Sequence, residues 1–109
     1  MIQSPDLRRM ILHHPLFHHL MPAAQERILV AAQESSHDTA ALLVRQGQEA
    51  DRFFLVLKGR VKLFRISADG QEKVVEIIHP GQTFAEAVMF MQKSVFPVCA
   101  ETLEPVHMV

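Results

Sequence analysis

Residues 53–78 read FFLVLKGRVKLFRISADGQEKVVEII. Three apolar runs alternate with two turn signals, because Gly59 ends the first run and Asp69-Gly70 separates the second from the third. Asp-Gly between two apolar runs is a strong hairpin signal, since the favoured two-residue turn needs a positive φ at both central residues. The other two of the four glycines, Gly47 and Gly81, also stand where apolar runs end. The pattern predicts a series of short antiparallel strands joined by tight turns.

Length and composition exclude several classes of protein. A chain of 109 residues builds one domain with one modest core. The net charge of -1 gives no basic surplus for binding nucleic acid through this chain alone. No apolar run approaches the roughly 20 residues of a membrane span, and no signal peptide is recognisable, so we expect no membrane partner and a cytoplasmic location. The single cysteine, Cys99, excludes an internal disulfide and any multi-cysteine metal or iron–sulfur site.

The first third of the chain is predicted to be helical. Ser4-Pro5 is typical of an N-cap followed by proline at the first helical position. Pro15 ends this helix, because the residue before a proline avoids the α region. Pro22 opens a second helix. We therefore assign residues 1–38 to an N-terminal helical segment.

Residues 39–109 are predicted to form a β-roll. Turn signals recur here every eight to twelve residues or so, the spacing of a sandwich or barrel. Residues 35–38, just before it, are predicted to be a loop. Residues 105–109 have the character of a strand with no partner following it, so we expect the chain to be part of a longer protein.

Three segments of the β region resemble the cyclic-nucleotide-binding β-roll of the Crp/Fnr transcription factors. The agreement is specific because spaced glycines, the apolar strand before Gly59 and a Phe-x-Glu element ending at Glu86 occur together. The resemblance runs from about residue 42 to residue 102, with 6–33 in the position of the family's N-terminal helices. The segments are residues 46–51, 54–63 and 80–86.

This resemblance implies a mainly β fold with N-terminal α-helices, in which the strands form an antiparallel double-stranded β-helix of jelly-roll type. It also implies a homodimer, formed by a long helix after the β-roll, and DNA binding through a helix-turn-helix that follows. We expect the dimer helix and the helix-turn-helix to lie outside these 109 residues. The implied function is effector sensing for a transcription regulator.

The residues that would bind a cyclic nucleotide are only partly present. Such a ligand needs a carboxylate for the ribose hydroxyl, an arginine for the phosphate and a short turn opened by glycine. Glu86 keeps the carboxylate, but Ala85 stands where the family has glycine and Phe96 where it has arginine. Loss of the phosphate's counter-charge costs about 2–5 kcal/mol. We therefore predict that cyclic AMP and cyclic GMP bind weakly or not at all.

Apolar side chains replace the phosphate clamp and suit a flat, hydrophobic cofactor with one polar edge. Residues 84–91, FAEAVMFM, resemble the branch of the family that regulates denitrification in response to nitric oxide. That resemblance implies haem as the sensing group and a small gaseous effector. The predicted ligand pocket consists of Phe84, Ala85, Glu86, Ala87, Val88, Met89, Phe96 and Val98.

A haem iron needs an axial ligand, and the chain carries two histidine doublets, His13-His14 and His18-His19. Neutral imidazole is a common haem ligand. Because the family's N-terminal helices pack beside the β-roll, we predict that His13 or His14 is the axial ligand. The alternative is that both doublets are solvated helix faces, since adjacent residues on a helix cannot both point inward.

Two other functions stay open. The first is a degenerate β-roll that serves as a structural or protein-interaction module without a cofactor, because clustered Met and Phe side chains commonly fill a core. The second is an enzyme of cupin type, which is disfavoured because most histidines precede the barrel and no carboxylates are paired for acid–base chemistry. The remaining histidines, His37, His79 and His107, are predicted to lie on the surface. We therefore do not expect an enzyme.

Overall fold

The computed structural model describes residues 4–15, 17–50, 52–84 and 95–109. The chain divides into two compact units, Met1–Glu34 and Ser35–Val109. None of the helices in these described ranges is long and apolar enough to cross a membrane.

The first unit contains two helices, α1 (Pro5–His13) and α2 (Pro22–Ala31). The predicted N-cap is confirmed, because the Ser4 hydroxyl accepts a hydrogen bond from the Leu7 amide at 3.4 Å. Both helices begin with proline, as predicted, since a first-turn residue needs no intrahelical N–H partner.

The second unit is built from antiparallel strands, which confirms the predicted fold class. In its described residues they form two four-stranded sheets, with strand orders β1-β8-β3-β6 and β2-β7-β4-β5. The strands are β1 (Ser35–His37), β2 (Leu42–Val44), β3 (Phe54–Lys58), β4 (Val61–Ile66), β5 (Glu72–Ile78), β6 (Thr83–Phe84), β7 (Cys99–Thr102) and β8 (Val106–Met108).

One local prediction about this unit was wrong. Ser35–His37 was predicted to be a loop but forms β1, because it pairs with β8 in a register that matches Ser36 to His107. The strand predicted at residues 105–109 is β8, which lies between the earlier strands β1 and β3. The partner of β1 is distant in sequence, so no local pattern reveals it.

The predicted glycine turns are confirmed. Gly70 has a φ of +82°, and its amide donates to the Ser67 carbonyl at 2.9 Å, closing the β4–β5 hairpin. Gly59 has a φ of +81° at the β3–β4 turn, where the chain passes close to Pro105.

The core lies between the two sheets and draws apolar side chains from both. Phe54 and Phe84, which are cross-strand partners, stack with their ring centroids 4.7 Å apart. The buried members are Val44, Phe54, Val56, Val61, Leu63, Ile78, Phe84, Phe96, Ala100, Val106 and Met108.

Thr102 is a buried polar side chain, and it joins β7 to the segment between β1 and β2. Its hydroxyl donates to the Asp38 carbonyl at 2.6 Å and accepts from the Ala41 amide at 2.8 Å. Only 2% of the residue is exposed. Both groups of the hydroxyl are therefore satisfied away from solvent.

We expect Thr102→Val to lower the free energy of unfolding by about 1–3 kcal/mol, because it removes the hydroxyl that bonds the amide of half-buried Ala41 and the carbonyl of Asp38. Thr102→Ser keeps the hydroxyl and should cost less. Urea denaturation of the two variants measures the difference. Equal stability of Thr102→Val and the unmodified chain would show that the two hydrogen bonds contribute nothing.

Candidate ligand-binding site

The structure places three of the eight predicted pocket residues. Phe84 lies in β6, Phe96 lies two residues before Val98, and both phenylalanines belong to the core cluster. Val98 is half-buried and packs against that cluster. The other five predicted residues lie outside the described ranges: Ala85, Glu86, Ala87, Val88 and Met89.

Phe96 occupies the position where a phosphate-binding arginine was looked for, and it is almost completely buried, with 1% of its surface exposed. Its amide donates to the Gln48 carbonyl at 2.9 Å, and its carbonyl accepts from the Gly47 amide at 2.9 Å. These two hydrogen bonds join the Phe96 backbone to the turn after β2. Because the Phe96 side chain is buried, it packs in the core of the second unit.

The surroundings of Phe96 are apolar. Phe84 is 2% exposed and belongs to the same cluster, and among the described residues Thr102 is the only buried polar side chain. An anion placed here would therefore lose its hydration without meeting a counter-charge from the described core, which is unfavourable.

The family model described as "Cyclic nucleotide-binding domain" matches residues 36–109. The chain belongs to this family. Among curated relatives, the "Cyclic AMP receptor protein" of Thermus thermophilus is 33% identical over 72 residues, which are 66% of this chain and 33% of that protein. The chain thus spans about a third of the length of this relative.

Solved structures of a Pseudomonas aeruginosa regulator are also similar to this cyclic nucleotide-binding domain. The structure of DNR is 30% identical with a TM-score of 0.89, covering 99% of this chain and 48% of that one. The sensor domain of the transcriptional regulator DNR is 31% identical with a TM-score of 0.85, covering 94% of this chain and 69% of that one. This chain therefore resembles the sensor domains of Crp/Fnr-type regulators.

The histidines predicted as haem ligands lie in the first unit of this cyclic nucleotide-binding domain protein. His13 is exposed and is the last residue of α1, whereas His14 is half-buried, with its ring centroid 5.5 Å from that of Phe17. No group of three His, Cys, Asp or Glu side chains able to hold a metal ion occurs in the described ranges. A haem iron, however, needs only one or two side chains from the protein.

The three histidines predicted to lie on the surface all have solvent-exposed area. His37 ends β1 and His107 is the middle residue of β8, and both are partly exposed, while His79 is exposed. No local signal indicates the strand position of His37, because β1 carries the polar residues Ser-Ser-His and its strand character depends on β8.

Sequence reasoning also missed a charged cluster on the second sheet. The Lys62 ammonium bonds to the Glu72 carboxylate and lies 3.6 Å from an oxygen of Glu101. The hydrogen bond to Glu72 raises the pKa of Lys62 above its ordinary value of 10.5, and Glu101 adds to the rise, whereas desolvation opposes it. Strands β4, β5 and β7 supply one residue each.

We expect Lys62→Gln to lower the free energy of unfolding at neutral pH by about 1 kcal/mol, as is typical of a partly exposed ion pair. Because the pKa of Lys62 is raised in the folded state, this stabilisation should be constant between neutral pH and about pH 10 and disappear as the pH rises through the folded-state value. Denaturation curves at several pH values measure it. Arg65→Gln, at an exposed position on the same strand, is the control, and an equal effect of both variants would contradict the prediction.

Proposed function

We propose that this chain is the effector-sensing domain of a Crp/Fnr-type transcription regulator that uses haem to detect nitric oxide in the control of denitrification. The full protein would be a cytoplasmic homodimer that binds DNA through a helix-turn-helix following the dimer helix. Effector binding would bias a two-state arrangement of the dimer helix and thereby the DNA-binding heads.

We also propose that the domain does not bind a cyclic nucleotide. The observation that supports this is the burial of Phe96. A cyclic phosphate needs a cation in hydrogen-bonding distance. Instead, this position holds a phenylalanine ring that is 1% exposed within an apolar core. The domain has the family's fold without the family's counter-charge at this position.

We expect neither cyclic AMP nor cyclic GMP to bind with a micromolar dissociation constant. Loss of about 2–5 kcal/mol weakens a micromolar site by about 30- to 5,000-fold, into a range where calorimetry detects little or no heat. Titration of the unmodified chain with each nucleotide measures this. A micromolar dissociation constant for either one would contradict the proposal.

Support for haem comes from the donors and the apolar residues that are present. Imidazole nitrogens of His13 or His14 suit an iron, and the single cysteine, Cys99, is buried in β7. Phe84 and Phe96 are the aromatic side chains of the predicted pocket that the structure describes, and both are buried in the apolar core cluster. When bound, haem supplies an iron atom that takes up nitric oxide.

Haem titration followed by the Soret absorption band tests the proposal. Three chains are compared: the unmodified protein, the double variant His13→Ala/His14→Ala, and the matched control His18→Ala/His19→Ala. We expect the first double variant to change the band and weaken binding, while the control leaves both unchanged. If His13→Ala/His14→Ala has no effect, the ligand assignment is wrong; if a full-length protein carrying this domain binds no haem, the sensing proposal fails.

The second candidate is a structural or protein-interaction module without a cofactor. Its support is that Phe84 and Phe96 are 2% and 1% exposed and pack against other core residues. In this case a ligand reaching them would have to displace protein contacts. Absence of haem binding together with an undiminished ability of the full-length protein to dimerise would favour this function.

A further inference from the structure

The second unit contains a surface cleft that shares no residue with the predicted ligand pocket. Its volume is about 330 Å³, at the lower end of the range of small-ligand sites. Strands β1, β3 and β8, with the segments after β1 and before β8, supply its walls. The lining residues are Ser36, His37, Asp38, Lys58, Pro105, Val106 and His107.

Three polar side chains of the cleft form a row across three neighbouring strands. The register matches Ser36 of β1 to His107 of β8, and His107 to Lys58 of β3, where the pairing is irregular between Val56 and Lys58. Ser36 and His107 are direct cross-strand partners and share one face of the sheet. His107 stands between the buried residues Val106 and Met108, so it faces away from the core.

Hydrogen bonds to serine orient both imidazoles of the cleft. The Ser36 hydroxyl oxygen lies 2.8 Å from Nδ1 of His107, and Nε2 of His37 lies 3.0 Å from the Ser35 hydroxyl. Lys58 contributes an exposed ammonium group. These groups are donors fixed on strands rather than on mobile loops, which favours a defined geometry.

The cleft combines one basic and one acidic side chain with neutral polar groups. Lys58 carries an ammonium group and Asp38 a carboxylate, so their opposite charges offset each other, and Ser36, His37 and His107 lie beside them. Ammonium, imidazole N–H and hydroxyl groups donate hydrogen bonds to oxyanions, and the bond from the ammonium group is charge-assisted.

We propose that this cleft binds a small tetrahedral oxyanion of the phosphate or sulfate class, held by Lys58, His107 and Ser36. Asp38 limits affinity at neutral pH, since its carboxylate repels the anion. Oxyanion binding at this cleft does not depend on whether the domain binds haem or senses a gas.

The test is an NMR titration of the 109-residue chain that follows backbone amide shifts. Sulfate, which is a dianion at neutral pH, is the first probe, and inorganic phosphate is the second. Sodium chloride keeps the ionic strength constant. We expect shifts at residues of β1, β8 and the end of β3.

Variants assign the binding to the cleft. Lys58→Gln, Ser36→Ala and His107→Gln should each weaken sulfate binding, the first by about tenfold. Lys73→Gln and His79→Gln, at exposed positions outside the cleft, are the controls and should change nothing. The proposal is overturned if sulfate causes no more shift than chloride, or if the control variants weaken binding as much as Lys58→Gln does.

Discussion

Gly59→Ala should destabilise the domain by about 2–5 kcal/mol, an effect large enough to unfold a marginal protein. Two penalties add at this turn. A residue with a side chain resists a φ of +81°, and the added Cβ would lie 2.4 Å from the Pro105 carbonyl oxygen and 2.9 Å from a methyl carbon of Val106. The carbonyl belongs to the backbone that leads into β8, so relief requires movement of a central strand.

Gly70→Ala is the matched control, because Gly70 has nearly the same φ, +82°, but no heavy atom within 4 Å of an added Cβ. It should cost only the conformational penalty of about 1–2 kcal/mol. Urea or thermal denaturation of the two variants separates the cost of the steric clash from the cost of the backbone conformation. If both variants lose the same stability, the close approach to Pro105 contributes nothing to the destabilisation by Gly59→Ala.

Phe96→Ala should lower the free energy of unfolding by about 3–5 kcal/mol, the usual loss when a buried phenylalanine is truncated. Phe96→Arg should cost at least as much, because it places a guanidinium in an apolar core. Arginine is the residue that the resemblance to the family implies at this position, as the partner of the phosphate. The burial of Phe96 makes unfolding the expected outcome instead.

Val95→Ala controls for the position in the chain, because Val95 is 45% exposed and its truncation should cost less than about 1 kcal/mol. Denaturation curves for the three variants are compared. A stable, folded Phe96→Arg protein that binds cyclic AMP would show that the ring is not an obligatory part of the core.

Structural features that depend on residues close together in the sequence could be predicted from it. The cap at Ser4, the helix starts at Pro5 and Pro22, and the glycine turns each depend on residues within a few positions of one another. These are the interactions that residue type and spacing describe directly.

Structural features that depend on strands distant in sequence could not be predicted from the sequence. The Lys62 cluster needs the registers of β4 with β5 and β7, and the row from Ser36 to Lys58 needs both neighbours of β8. The candidate pocket illustrates the same limit: the sequence marks Phe96 as an unusual residue for the family, but only the packing shows that its ring is part of the core. The predictions for residues 85–89 stay predictions.

The pairing of β1 with β8 has a consequence for how the domain folds and opens. Ser36 and His107 are 71 positions apart, so their strands meet only after the chain between them has been ordered. The β4–β5 hairpin, with its short loop, closes at a smaller entropic cost and can form early. With three residues, none of them fully buried, and a single partner strand in its sheet, β1 is expected to detach readily in native-state fluctuations. Its amides should therefore exchange with solvent sooner than those of β3, and each such opening would dismantle the row of Ser36, His107 and Lys58.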